Sequence, residues 1–214
     1  MNNNPVRHYL SNTYRKSIIR FFDNTAPILG PLNDKKGVIH IKKYYTEEQV
    51  MNMSSSRPAN VKDILKRDSY LTDLFSDYLN KWNIDTCFMW ETEEGENNSS
   101  IWHHDSVGHR IKIFIGVSEK SNNTGTLFVS DSYKNKYNDY LSTRINKDFN
   151  ENETFLINMD VGDLMIFDTN CIHAGLYGSK PRKAITVEIS NPYKGFLLPG
   201  KIGKKDFREN GSFS

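Results

Sequence analysis

Residues 162–175 read Gly-Asp-Leu-Met-Ile-Phe-Asp-Thr-Asn-Cys-Ile-His-Ala-Gly. The apolar run at 163–167 is short and has turn-forming residues on both sides, which predicts a buried strand. A polar Asp-Thr-Asn turn follows at 168–170, and His173 comes directly after it. The stretch therefore predicts a strand and a turn that together present one histidine.

Other short strands are predicted around this stretch, and helices precede them. The predicted strands cover residues 37–45, 85–91, 101–105, 109–118, 124–130, 155–159 and 184–190. A short helix is predicted at 46–53, where Thr46 is a plausible N-cap with Gln49 as its capping-box partner. The clearest helix is predicted from about Asn60 to Trp82, because apolar residues recur there every three or four positions.

Helices followed by about seven short strands indicate a mainly β fold with supporting helices (α+β), built on a double-stranded β-helix, the jelly-roll or cupin-like core. The 214 residues fit a single domain spanning 1–214. Within it we expect helical support over about 1–83, the jelly-roll core over about 84–191 and a C-terminal tail at 192–214. The two facing sheets should be antiparallel, with the long helix packed outside one of them.

The amino-acid composition limits the binding partners and the cellular compartment that are expected for this protein. The 28 basic and 26 acidic residues nearly balance, at a net charge of +2, so no nucleic-acid partner is expected. Two cysteines, Cys87 and Cys171, do not make a disulfide framework. No apolar run is long enough for a membrane span, and the first residues lack the apolar stretch of a signal peptide. A cytoplasmic protein is expected.

The segment Trp-His-His-Asp at 102–105 supplies two candidate metal ligands. Side chains alternate across a strand, so His103 and Asp105 should point to the same side, with the intervening His104 directed away and exposed to solvent. His173 would complete a set of two histidines and one carboxylate on one face of a metal. This is the ligand set of non-haem Fe(II) oxygenases, although Mn, Co and Ni fit the same donors.

Two basic residues are candidates for binding a co-substrate. Arg182 follows His173 by nine residues, and a guanidinium holds a carboxylate by two parallel hydrogen bonds. We expect it on the strand that runs through Ile185 and Val187, facing the interior of the barrel. Lys112 is a second candidate for this role, and an outward-facing lysine is the alternative.

These motifs resemble the phytanoyl-CoA hydroxylase-like branch of the Fe(II)/2-oxoglutarate dioxygenases. The resemblance covers about residues 37–191. It is carried by Trp-His-His-Asp at 102–105, Lys-Ile-Phe-Ile-Gly-Val-Ser at 112–118, Gly-Thr-Leu-Phe-Val at 125–129, the 162–175 stretch and Arg182. It implies that His103, Asp105 and His173 bind Fe(II) as the catalytic centre, and that Arg182 pairs with the distal carboxylate of 2-oxoglutarate.

The activity that this resemblance implies is oxidative decarboxylation of 2-oxoglutarate to succinate and CO₂, with O₂ as the second co-substrate and a small molecule as the substrate that is oxidised. Asp105 is present, so a halide has no vacated iron position to occupy, which favours hydroxylation over halogenation. Two other readings stay open: a cupin-like metal enzyme that does not use 2-oxoglutarate, and a non-catalytic β-sandwich binding protein with a degenerate site.

Overall fold

The computed structural model describes residues 32, 36–76, 83–92, 101–105, 109–121, 124–134, 145, 147–176 and 181–190. These ranges contain three α-helices: α1 Glu47–Ser54, α2 Pro58–Arg67 and α3 Ser69–Ser76. They contain eight strands: β1 Val38–Ile41, β2 Asn83–Thr92, β3 His109–Gly116, β4 Gly125–Val129, β5 Thr154–Ile157, β6 Leu164–Asp168, β7 His173–Leu176 and β8 Arg182–Ser190. The predicted tail at 192–214 and the N-terminal part of the predicted support, up to residue 31, lie outside the described residues.

The strands form two antiparallel sheets. One has the order β1-β6-β3-β8-β2 and the other the order β5-β4-β7. Every pairing within them is antiparallel. A single bridge between His103 and His173 adds the 101–105 segment beside β7. The predicted double-stranded β-helix is confirmed, with the two sheets facing each other across a shared interior.

The five-stranded sheet is buried on both faces. Side chains alternate along each strand, so successive residues point to the outer face and to the inner face. Its outer face packs against the helices in one apolar cluster, which includes Val61, Leu65, Leu71, Phe75, Ile113, Ile166, Ile185 and Val187. Its inner face shares a second cluster with the smaller sheet, which includes Phe114, Phe128, Met165, Phe167 and Ala184. Burial on both faces explains why all five residues of β6 are buried.

The prediction of one continuous helix from about 60 to 82 is wrong, because the structure has two helices, α2 and α3, with a break at Asp68. Helix α2 begins earlier, with Pro58 in its first turn, and it ends at Arg67. Asp68 is extended (ψ 114°) and starts α3, because its carboxylate accepts a hydrogen bond from the backbone N–H of Leu71 at 3.1 Å. The same carboxylate accepts hydrogen bonds from the hydroxyls of Tyr44 and Tyr45 at 2.8 and 2.9 Å. Residues 77–82 of the predicted helix lie outside the described residues.

The short helix α1 carries the predicted capping box. The hydroxyl of Thr46 accepts from the N–H of Gln49, and the Gln49 side chain accepts from the N–H of Thr46. The strand before it is shorter than predicted, since β1 ends at Ile41 and the chain turns at Lys43, whose φ is 50°. Gly162 lies against this turn, where a Cβ would collide with the carbonyl oxygen of Tyr45, so only glycine fits.

Two strand predictions near the site need correction. Residues 101–105 form no ladder, only the single bridge at His103. Residues 173–176 form a true strand, β7, which the sequence analysis did not predict because His-Ala-Gly-Leu lacks an apolar alternation. Within the part of the chain that the structure describes, no helix is long and apolar enough to span a membrane. Cys87 and Cys171 are both buried and no disulfide joins them.

Candidate metal centre

The three predicted ligands come together in the structure, and both histidines line an interior cavity. One donor atom each from His103, Asp105 and His173 lies within 4.8 Å of the other two. Backbone hydrogen bonds fix their relative positions. The N–H of His103 donates to the carbonyl of His173 at 3.0 Å, the N–H of His173 donates back at 2.8 Å, and the N–H of Asp105 donates to the carbonyl of Thr169 at 3.1 Å.

Both imidazoles are held in the same way. Nδ1 of His103 lies 2.8 Å from the carbonyl oxygen of Ile101, and Nδ1 of His173 lies 2.9 Å from the carbonyl oxygen of Cys171. A carbonyl oxygen only accepts, so each Nδ1 carries the proton and donates it. Each Nε2 therefore keeps its lone pair for a metal, in the arrangement that outer hydrogen bonds impose on metal-bound histidines.

The charge states of His173 and Asp105 also suit a cation. Burial holds the pKa of His173 down at about 3, so this imidazole is neutral at physiological pH. Burial works against ionisation of Asp105, but the ammonium of Lys112 outweighs it and holds the pKa of this carboxyl well below its usual range. The result is a neutral His173 beside an ionised Asp105, and together with the imidazole of His103 they form a donor set that fits Fe(II) and related divalent ions.

Lys112 points inward, so the outward-facing alternative is wrong. Its Nζ lies 2.8 Å from Oδ2 of Asp105 and 3.4 Å from Oε1 of Glu188. Burial lowers the pKa of this ammonium, but the two carboxylates outweigh burial and the net shift is upward, so Lys112 is protonated. The positive charge therefore lies beside the carboxylate ligand.

A cavity of about 130 Å³ opens beside these groups. It is lined by Phe88, Trp90, His103, Lys112, Phe114, Thr126, His173, Gly175, Arg182 and Thr186. The lining combines aromatic rings with the cationic side chains of Lys112 and Arg182, which suits a small organic anion.

Arg182 faces the interior of the barrel, as the sequence predicted, and it lines this cavity. It is the first residue of β8 and faces inward, while Ile185 and Val187 belong to the outer cluster. The side chain is largely buried, its Nη1 donates to the hydroxyl of Thr126 at 3.3 Å, and its guanidinium lies 4.6 Å from the centre of the Trp90 ring. Stacking on an aromatic face favours arginine over lysine at this position.

Several residues of the site were not identified from the sequence or were assigned differently. His104 is fully buried, with Nδ1 2.8 Å from the carbonyl of Asp105, so the expected exposure is wrong. Trp90 lies parallel to Phe114 at 6.0 Å and lines the cavity. Thr126 and Glu188 were missed. Alternation along the predicted strands would have found both, since Thr126 shares a face with Phe128, and Glu188 shares one with Arg182.

The loop before His173 is anchored by a turn whose role the sequence did not show. The buried hydroxyl of Ser132 donates to the carbonyl of Val129 at 2.7 Å and accepts from the N–H of Ile172 at 2.9 Å. The side-chain amide of Asn170 donates to the carbonyl of Tyr133 at 3.0 Å. This turn therefore fixes the path of the chain into His173.

Comparison with known proteins places the fold in a defined structural class. No protein-family model and no curated protein matches the chain. Solved structures do match, and the enzymes among them share the double-stranded β-helix. Their identities to this chain are low, so the likeness establishes the fold.

Three of the matching structures are as follows. The epimerase SnoN, in complex with Fe3+, alpha ketoglutarate and nogalamycin RO, matches at a TM-score of 0.54 and 14% identity, over 81% of this chain and 90% of SnoN. HygX from Streptomyces hygroscopicus, with nickel and 2-oxoglutarate bound, matches at 0.58 and 11%, over 77% and 86%. EvdO2 from Micromonospora carbonacea var. aurantiaca, complexed with 2-oxoglutarate, matches at 0.53 and 11%, over 72% and 86%.

Proposed function

We propose that this chain is a single-domain, non-haem Fe(II)- and 2-oxoglutarate-dependent oxygenase that hydroxylates a small molecule. One observation carries the proposal. His103, Asp105 and His173 bring one donor atom each within 4.8 Å of one another, and both histidines line a small cavity together with the inward-facing Arg182. A binding protein without chemistry has no need of this combination of donors and anion anchor.

His103, Asp105 and His173 would hold the iron. The backbone bridges and the two Nδ1 hydrogen bonds fix these side chains before a metal arrives, which limits the ordering cost of binding. With these three ligands on one side, an iron ion would keep positions free for a chelating 2-oxo acid and for O₂.

Arg182 would anchor the distal carboxylate of 2-oxoglutarate. Thr126 and the Trp90 ring orient its guanidinium. The side chain therefore loses little conformational freedom when it forms two parallel hydrogen bonds with a carboxylate. SnoN, HygX and EvdO2 each hold alpha ketoglutarate or 2-oxoglutarate on this fold, which supports the same co-substrate here. Lys112 remains the second candidate contact for the co-substrate.

When bound, the iron supplies the coupling of O₂ reduction to decarboxylation of 2-oxoglutarate and to oxidation of the substrate, with succinate and CO₂ as co-products. The protein chain positions the co-substrate and excludes water from it. Arg182 orients the co-substrate along the cavity, and the aromatic rings of Phe88, Trp90 and Phe114 limit water access to it. The Nδ1 hydrogen bonds of His103 and His173 would keep both Nε2 atoms available to the metal.

The substrate class and the outcome are also proposals. The structures of SnoN and HygX include complexes with nogalamycin RO and hygromycin B, which supports a small-molecule substrate for this chain. SnoN is an epimerase, so the fold accommodates more than one fate for the oxidised carbon. Hydroxylation is the outcome proposed here, and products that gain one oxygen atom distinguish it from epimers of unchanged mass.

Succinate formation tests the proposal. The protein is incubated with Fe(II), 2-oxoglutarate, O₂ and a panel of small molecules, and succinate is quantified with and without each component. We expect succinate to depend on iron and on 2-oxoglutarate, and to increase with the true substrate. Metal binding without any use of 2-oxoglutarate would favour the cupin-like alternative, and failure to bind a metal would favour the non-catalytic one.

A further inference from the structure

The ammonium of Lys112 forms ion pairs with two carboxylates, those of Asp105 and Glu188, at the edge of the metal centre. Nζ of Lys112 contacts Oδ2 of Asp105 at 2.8 Å and Oε1 of Glu188 at 3.4 Å. All three side chains are largely shielded, with 12% exposure for Lys112, 16% for Asp105 and 18% for Glu188. Solvent therefore screens the charges only weakly.

The position of Glu188 is set by the sheet. It lies directly opposite Lys112 across the β3–β8 ladder and directly opposite Thr86 across the β2–β8 ladder. The hydroxyl of Thr86 donates to Oε2 of Glu188 at 2.8 Å, which leaves Oε1 directed at the ammonium. Thr86, Glu188 and Lys112 thus form a cross-strand row that ends on the ligand Asp105.

The ammonium opposes a cation at this site in two ways. It competes for the oxygens of Asp105, and at this short range it repels a divalent ion. Glu188 offsets both effects because it attracts the ammonium away from Asp105 and adds a negative charge nearby. The two residues therefore act on cation binding with opposite sign.

We infer that Lys112 and Glu188 tune the affinity of the site for its divalent cation, with Lys112 lowering the affinity and Glu188 raising it. This inference rests on the proposed metal site and adds a regulatory pair to it. Both residues are positioning residues, because neither is a ligand of the cation and both act by their charge beside Asp105.

Titration with Co(II) tests the inference without turnover. The absorption of bound Co(II) reports the ligand set, and calorimetry with Ni(II) gives the affinity independently. We expect Lys112→Met to bind about tenfold more tightly than the wild type and Glu188→Gln about tenfold more weakly, since each variant changes one unit charge at short range. The double variant should return close to the wild-type affinity, because the two charge changes cancel.

Two control variants and one milder variant complete the experiment. Lys183 on β8 and Glu91 on β2 form an ion pair at 2.9 Å, but both are exposed, so Lys183→Met and Glu91→Gln should leave the affinity unchanged. If Glu188→Gln folds poorly, Thr86→Val removes only the hydrogen bond that holds Glu188. It should weaken cation binding in the same direction.

Weaker binding by Lys112→Met would overturn the inference, because it would make the ammonium a support for Asp105 and no competitor. Unchanged binding in both Lys112→Met and Glu188→Gln would also overturn it, and would leave Lys112 to the co-substrate. Failure of the wild-type protein to bind Co(II) or Ni(II) would contradict the proposed function itself, which separates the two failures.

Discussion

His103 and His173 face each other across a two-way backbone bridge, in which each N–H donates to the carbonyl of the other residue at 3.0 and 2.8 Å. Their ring centres are 4.3 Å apart. The bridge joins the 101–105 segment, which has no ladder of its own, to strand β7 of the smaller sheet. The backbone therefore brings the two imidazoles together whether or not a metal is bound.

The first prediction concerns the ligands. His173→Ala should lower the affinity for Fe(II) or Ni(II) by at least about a hundredfold, because loss of a directly coordinating group should cost at least as much as loss of the outer groups that orient it. The backbone bridge does not involve the imidazole, so the fold should persist by circular dichroism. His40→Ala is the control, since this histidine pairs with Asp163 outside the site. Unchanged metal affinity in His173→Ala would remove it from the ligand set.

The second prediction concerns Arg182. Arg182→Ala should raise the dissociation constant for 2-oxoglutarate about a hundredfold or more, because loss of one partner of a buried charge pair costs about 3–5 kcal/mol. Metal affinity should not change, since no ligand is altered. Arg182→Lys should recover only part of the loss, because an ammonium lacks the two-pronged geometry and the stacking on Trp90.

An anaerobic 2-oxoglutarate titration of the Fe(II) protein measures this effect. A titration curve identical to that of the wild type in Arg182→Ala would exclude this arginine as the anchor. In that case Lys112 would become the first candidate.

The third prediction concerns the helical layer. Asp68→Ala should destabilise the protein by about 2 kcal/mol, since it removes the cap of α3 and the acceptor for two tyrosine hydroxyls. Asp63→Ala, at an exposed position of α2, is the matched control and should have little effect. Urea unfolding measures both. Equal stability of the two variants would show that the break at Asp68 is not maintained by its side chain.

The fourth prediction is a pH dependence at Asp163. Burial works against ionisation of this carboxyl, but the backbone N–H groups of Lys43 and Asp160 and the His40 ring hold its pKa below the usual value. A carboxyl with a lowered pKa stabilises the fold above its ordinary pKa of about 4, and that contribution is lost as the pH falls through the folded value.

Asp163→Asn should therefore be less stable than the wild type at neutral pH, by about 1–3 kcal/mol, and this difference should shrink as the pH falls below about 4. Urea unfolding of both proteins across the acidic range gives the comparison. A difference that widens on acidification would contradict the assignment.

The sequence predicted most of the strands and the candidate ligands because these depend on local patterns. Alternation along 109–118 and 184–190 located β3 and β8, and the chemistry and order of the motifs along the chain selected His103, Asp105, His173 and Arg182. The rest depends on tertiary contacts. The break at Asp68 exists because Tyr44 and Tyr45 reach its carboxylate from a distant turn.

The same reason explains the residues around the ligands that were missed. Alternation places Glu188 on the inner face of its strand, but only the sheet register, which is a tertiary feature, brings it opposite Lys112. His104 was expected at the surface because polar residues surround it, yet the fold buries it completely. Strand β7 has a glycine and an alanine at its centre, and the neighbouring β4 ladder gives it its conformation.

The most direct measurement is the absorption spectrum of the anaerobic Fe(II) protein during addition of 2-oxoglutarate. Chelation of Fe(II) by a 2-oxo acid produces a metal-to-ligand charge-transfer band. We expect one band that saturates at one 2-oxoglutarate per chain, that disappears in His173→Ala and that requires far more co-substrate in Arg182→Ala. Iron bound with no such band at any 2-oxoglutarate concentration would contradict the proposed oxygenase.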